Sequence, residues 1–430
     1  MKIKKREVLD FLILYWMMIY IFAISWLAYL RQGAFVLCIL ILIRLVLSAK
    51  RTIYFQPLYI GALLCVIYPI VSFKIFSGNL NILYNNMLAV LPTTLVLIYI
   101  AFICKFKKKF VINFLKKQKF FFNGYMVINI PVLLLQLKGY YFLAGRHPES
   151  ITNFYIDDLT SGLFGYNGTG LLTMYFGFLI VYNISLYKNN EIKRKKMFFI
   201  YNIILTTFIM YVATRSDNKA LFIIVPMLLI IYYIEDRMNK DMSSKKKLLH
   251  LLSYVFKVAA IVTIIIFIVV PIMGLGEIFQ DIFQKIQTGW LLSNSAHGSA
   301  ERLGMIAYAL NNKSIRWFGA GIAKYDWQEP YAFHFVHFGI SDFGAFLCLG
   351  GVIYISLVCV FLISIYKQLI KDKTSIIMLL FGSIIILLYT QFLTVLSTMC
   401  SWCFFILIIS KNQEKYKYIV GERKADDTIL

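Results

Sequence analysis

Six residues stand apart from the apolar bulk of this 430-residue chain, because their types and spacing suit the handling of an anion and a proton. Arg215 lies in the short polar run Ala213-Thr-Arg-Ser-Asp-Asn-Lys219, between two apolar blocks. A guanidinium at such a boundary can hold an anion through paired N–H bonds that lysine cannot match. It can equally be a charge that snorkels at a helix end. Arg302 falls in the first turn of a helical pattern at about 299–311, where Leu303, Ile306, Ala307 and Leu310 share one face. It reads as an anion ligand or as a helix-surface ion pair. Arg316 opens the Gly-rich turn Arg316-Trp-Phe-Gly-Ala-Gly321, where cation–π packing on Trp317 competes with ligand binding. His334 and His337, three residues apart, lead through Phe333-His-Phe-Val-His-Phe-Gly-Ile-Ser-Asp342 into the next apolar block. They read as interfacial side chains or as a base and a positioning group, and Asp342 follows where it could orient one of them. No adjacent Cys or carboxylate set completes a metal site there, so no metal and no cofactor is expected.

The elements that must position these residues are set by composition. The chain is 60% hydrophobic, with a mean hydropathy of +0.73, well above the roughly 45–50% apolar content of a soluble domain. The apolar residues come in runs near 20 long, the length of a helix that spans about 30 Å of hydrocarbon. A barrel would show alternation over about ten residues instead. The expected fold is therefore an all-α, polytopic integral membrane protein of about twelve transmembrane helices. They fall at about 9–30, 33–48, 54–73, 87–104, 120–137, 170–187, 198–213, 220–234, 251–273 and 340–364, with two more in the block 375–409.

The net charge of +23 follows the same map and calls for no nucleic acid. Lysine and arginine flanking a helix hold their segment in the cytoplasm. The basic segments Lys2–Arg6, Lys50–Arg51, Lys105–Lys119, Lys188–Lys196, Arg237–Lys247 and Lys367–Lys373 fall at every second connection, which predicts both termini in the cytoplasm. One membrane domain, 1–410, then carries a large extracytoplasmic loop at about 274–338 between helices nine and ten, and a polar cytoplasmic tail follows at 411–430. Arg44, inside a predicted span, either faces a polar groove or snorkels. Cys400-Ser-Trp-Cys403 reads as core packing in preference to a redox or metal pair. The richness in Ile, Lys, Asn, Tyr and Phe suggests an AT-rich, bacterial coding sequence, hence the bacterial cytoplasmic (inner) membrane.

Four of the five histidines, His147, His297, His334 and His337, fall on the extracytoplasmic side. The large loop opens with an amphipathic pattern at Gly276 to Gly289 and is too long for a plain connector; it reads as a substrate-binding cap. An arginine in a short outer turn, a large outer loop whose helix carries an arginine, a Trp-x-Gly-x-Gly turn and a His-containing entry to a Gly-rich helix together resemble the O-antigen and capsular polysaccharide polymerases and the related O-antigen ligases. The resemblance covers about residues 200–355; the outer turn reads Thr-Arg-Ser where the family commonly has Ser-Arg-Gly.

That resemblance implies a glycosyltransferase-type polymerase that joins oligosaccharide repeat units carried on undecaprenyl diphosphate at the outer face of the membrane. Arg215, Arg302 and Arg316 would hold the diphosphate. His337 or His334 would be the base, and Asp342 would orient it. The expected partners are the lipid-linked repeat units and membrane lipid, with a chain-length regulator and a flippase as further candidates. A lipid-linked oligosaccharide flippase or exporter is the main competitor; it would spread polar residues through many helices, whereas here they concentrate in one outer loop. An O-antigen ligase shares the chemistry and differs in acceptor.

Overall fold

A backbone that leaves water must satisfy its own amides and carbonyls, so apolar blocks of this length fold as helices. The computed structural model describes residues 5–22, 30–140, 160–165, 168–215, 219–238, 299–326, 341–370 and 372–426, and among these the chain is all-helical, without strands. In chain order the main helices are α1 (Lys5–Phe22), α2 (Leu30–Val46), α3 (Gln56–Ile75, with a π-helical turn at Leu63–Ile67), α4 (Leu80–Phe106), α5 (Lys108–Lys117), α6 (Lys119–Leu137), α7 (Thr169–Lys188), α8 (Lys195–Arg215), α9 (Lys219–Met238), α10 (Ser299–Asn311), α11 (Asp342–Leu369), α12 (Lys373–Tyr389) and α13 (Leu396–Asp426).

Six of them are long and apolar enough to cross a membrane: α3, α4, α6, α7, α8 through Ala213, and α11. They coincide with six of the expected spans. Gly33–Val46, Lys373–Tyr389 and Leu396–Lys411 are shorter apolar helices. The block at about 375–409 is two helices, interrupted at residues 390–395. Beyond Lys411 the chain continues as α13 to Asp426, so the expected polar tail begins as an extension of the last helix. The expected span at about 251–273 and, from the large loop, residues 274–298 and 327–338 lie outside the described residues.

Helices that are apolar on every side take the centre. α4 from Pro92 to Cys104, α7 and the Leu396–Lys411 stretch of α13 are buried almost throughout, and Trp402 in α13 donates its indole N–H to the Tyr366 hydroxyl at 3.2 Å. Cys400 and Cys403 are free thiols buried in that stretch, packed as small core residues. α6 and α8 lie outside and leave apolar groups open: Phe120 is 77% exposed and Ile204 62%. Water would penalise such patches, whereas lipid tails cover them at no cost.

Among the described residues the ion pairs gather at one end of the bundle. Asp10 of α1, fully buried, takes Arg44 of α2 at 2.6 Å and Lys107 at 2.9 Å. Lys188 meets Asp236 at 2.7 Å, Lys411 meets Glu191 at 2.9 Å, and Lys105 donates to Gln368 at 2.7 Å. The starts or ends of α1, α2, α4, α7, α9, α11 and the middle of α13 thus share one basic end of the bundle. Arg44 is neither snorkelling nor lining a groove: its charge answers Asp10, its Nη1 reaches Ser48 at 2.6 Å, and its guanidinium lies over the Phe102 ring.

Candidate functional site

At the opposite end, three of the residues singled out by sequence, Asp342, Arg316 and Arg302, lie on or beside the first three turns of α11. Ser341 caps this helix by accepting the Gly344 amide at 3.3 Å. Asp342 follows in the first turn, where a carboxylate also meets the positive end of the helix dipole. Its side chain is fully buried and faces the interruption between α12 and α13. The Leu393 and Thr394 amides donate to Oδ2, the latter at 3.2 Å, and the Thr394 hydroxyl donates to Oδ1 at 2.5 Å. The Asp342 amide in turn donates to the Thr390 carbonyl at 3.2 Å. From α4, the Thr93 hydroxyl donates to the Leu393 carbonyl. One carboxylate therefore supplies acceptors for a stretch of non-helical backbone that would otherwise be buried with orphan amides.

Two and a half turns on, α11 is broken. Gly351 has φ +70° and ψ −173°, a conformation that essentially only glycine adopts. The break leaves backbone groups without helical partners, and the Arg316–Gly321 turn supplies them. The Ala320 and Gly321 amides donate to the Cys348 and Leu349 carbonyls at 2.8 and 3.0 Å, and the Val352 and Ile353 amides donate to the Arg316 and Trp317 carbonyls at 2.8 and 3.2 Å. Tyr68 of α3 donates its hydroxyl to the Gly350 carbonyl, with the Phe318 carbonyl 3.1 Å away. The backbones approach so closely that a Cβ on Gly319 would stand 2.2 Å from the Leu349 carbonyl carbon. The Trp-x-Gly-x-Gly turn is thus a splint for a broken helix. Helix interruptions at membrane depth are tolerated where protein satisfies them in this way.

The same segment is tied to the α3–α4 connection. The Asn79 amide donates to the Ala323 carbonyl at 2.8 Å, and Asn86 Nδ2 donates to the Ile322 and Tyr325 carbonyls at 2.5 and 2.9 Å. α10 lies along α11: the Cys348 thiol points to the Met305 carbonyl at 3.7 Å. Residues 299–326 of the large loop are therefore bolted to the bundle.

Of the sequence-predicted residues, Asp342 and Arg316 lie on α11 and on its splint, and Arg302 stands one turn before the Met305 contact, on the helix that packs there. Arg316 is half-buried and donates Nε to the Leu310 carbonyl, which ties the end of α10 to the splint. Arg215 closes α8, a helix packed against α7 and α9. His334 and His337, like the other three histidines, lie outside the described residues. Sequence reasoning missed Tyr68, Thr394 and Asn86. A tyrosine, a threonine and an asparagine carry no pattern that announces a distant backbone partner; the one available signal was the Gly350-Gly351 pair inside an apolar span.

Among the described residues the fold is that of an all-helical, multi-pass membrane protein, with buried charge pairs at its basic end and a backbone-bracing carboxylate at the other. No protein-family model matches the sequence, and no curated protein is significantly similar to it.

Proposed function

We propose that this protein polymerises undecaprenyl-diphosphate-linked oligosaccharide repeat units into capsular, O-antigen or exopolysaccharide chains at the outer face of the bacterial cytoplasmic membrane. In this reading the bundle has about twelve spans, the basic end is cytoplasmic, and both termini lie inside. The observation that supports it is the convergence on α11. Asp342 opens α11, the Arg316 carbonyl accepts from Val352 past the break, and the helix that carries Arg302 packs against Cys348 between them, so residues up to 40 apart in the chain line the first three turns of one helix at the end opposite the ion pairs.

The chemistry needs little more than cations and a base. The acceptor hydroxyl oxygen forms a bond to the anomeric carbon of the donor. The bond from that carbon to the diphosphate oxygen breaks, and its electron pair leaves with the diphosphate. Arg215, Arg302 and Arg316 hold the developing charge, and His337, or His334, takes the hydroxyl proton. Asp342 braces the 390–395 connection and the start of α11, which sets where the preceding histidine segment enters. The arginines supply the positive charge, so the reaction as proposed needs no metal.

The test is a deletion strain complemented with Arg215→Ala, Arg302→Ala and His337→Ala. Loss of one electrostatic donor typically costs about 10²–10³ in rate, so each variant is expected to leave lipid-linked single units at the outer surface and no polymer. Normal polymer length in both Arg215→Ala and His337→Ala would refute the assignment. Lipid-linked units trapped in the cytoplasm would instead mark a flippase, and intact polymer that is not transferred to its final acceptor would mark a ligase.

A further inference from the structure

The basic end carries a second feature that catalysis does not use. On two neighbouring peripheral helices the exposed surface changes abruptly from cationic to apolar at one level. On the α5–α6 side the exposed or half-exposed residues Lys116, Lys117 and Lys119 give way at once to Phe120 and Phe121, 77% and 61% exposed. On the α8 side exposed Lys193, Arg194 and Lys196 give way to Met197 and Phe199, 62% and 57% exposed. The two sides are joined below that level by asparagines: Asn123 of α6 and Asn183 of α7 exchange hydrogen bonds at 2.9 and 3.0 Å, and Asn183 donates to Asn202 of α8 at 2.8 Å. Glu191, the acid in the connection between them, already faces Lys411 at 2.9 Å and Lys116 at 3.6 Å.

We infer that this strip is a binding site for an anionic phospholipid of the leaflet at the basic end. The lysines and Arg194 take the headgroup phosphate, and the acyl chains run along Phe120, Phe121, Met197 and Phe199. A cation cluster set directly above an apolar wall matches an amphiphile with a charged head, and α5 is held in place for it. Its apolar residues Val111, Phe114 and Leu115 are buried, the Leu115 carbonyl accepts the Tyr182 hydroxyl, and the Phe110 ring packs edge-on against Phe11 at 4.7 Å.

The experiment uses the full-length protein in neutral detergent and measures its thermal unfolding and its lipid adducts by native mass spectrometry. Phosphatidylglycerol is compared with phosphatidylcholine of the same chains and with soluble glycerol phosphate. Phosphatidylglycerol alone is expected to raise the melting temperature and to stay bound. The variant Lys117→Gln/Lys119→Gln/Arg194→Gln/Lys196→Gln should bind it at least a hundredfold more weakly, taking roughly fivefold per charge removed. All four side chains are at the surface, so the variant is expected to elute and melt like the parent without lipid. A control, Lys50→Gln/Arg51→Gln, removes charge elsewhere at the basic end and should bind as the parent does. Equal stabilisation by phosphatidylcholine or by glycerol phosphate would overturn the site, as would unchanged binding by the fourfold variant. Equal loss in the control would reduce the effect to net charge and overturn it too.

Discussion

The carbonyl oxygen of Trp317 lies 2.2 Å from where a Cβ on Gly351 would stand, so the splint and the broken helix touch backbone to backbone. That contact accounts for why the chain places a glycine at the break and a second one, Gly319, opposite it. It also makes the break a rigid joint: the groups freed at Cys348, Leu349, Gly350, Val352 and Ile353 all have partners.

Gly351→Ala should therefore destabilise the protein by more than the approximately 1–3 kcal/mol that a forbidden backbone conformation costs alone, because the methyl group also collides with Trp317. Gly124→Ala is the matched control. A Cβ there meets nothing within 4 Å, and alanine is the better helix former by about 1 kcal/mol. Thermal unfolding in detergent should rank Gly124→Ala at or above the parent and Gly351→Ala far below it.

The Asp10 cluster predicts a strongly non-additive pair. Asp10→Asn leaves the Arg44 guanidinium buried without its counter-ion, a change that typically costs about 3–5 kcal/mol. Asp10→Asn/Arg44→Met removes both charges and should be much milder than the sum of Asp10→Asn and Arg44→Met measured singly. A double-mutant cycle on melting temperature reads this directly; additive losses would mean that the two side chains do not share their burial.

Thr394→Val keeps the volume at the 390–395 connection and removes the hydroxyl that donates to Asp342 Oδ1. The expected loss is about 1–3 kcal/mol, the penalty for a buried acceptor left short of a donor. Under the proposed reaction, polymer yield should fall in step with folded protein in Thr394→Val. Asp342→Ala should lower yield per folded molecule as well, which quantitative blotting against polymer length separates.

Sidedness can be tested with single cysteines, because the native thiols in the described bundle are buried except for half-buried Cys359. In whole cells, Ser314→Cys should react with a membrane-impermeant maleimide without permeabilisation. Lys117→Cys should react only after the membrane is opened. The reverse pattern would invert the bundle and with it the placing of the proposed reaction.

Much of the architecture was legible before any fold was known. The six longest apolar spans fell where runs of about 20 apolar residues required helices, because lipid leaves a backbone no other way to satisfy itself. The lysines marked one end, since charge orients each span independently of what it later packs against. Even the division of the block at about 375–409 into two helices could be read, because an apolar block of that length is too long for one crossing.

What only the tertiary structure decided is which polar group answers which. Asp10 and Arg44 are 34 residues apart, Asp342 and Thr394 are 52 apart, and Tyr68 reaches a carbonyl 282 residues further on. Periodicity describes a helix and its faces; it carries no information on which faces meet. The Trp317–Gly321 run looked from sequence like part of a ligand-binding cap. It became a splint only once Gly351 was seen to break α11, since backbone hydrogen bonds between distant segments leave no trace in side-chain pattern. By itself, the sequence determined that the chain forms long apolar helices suited to a membrane, and which residues call for an explanation. The pairing of backbone with backbone at one end, and of charge with charge at the other, arises from packing alone.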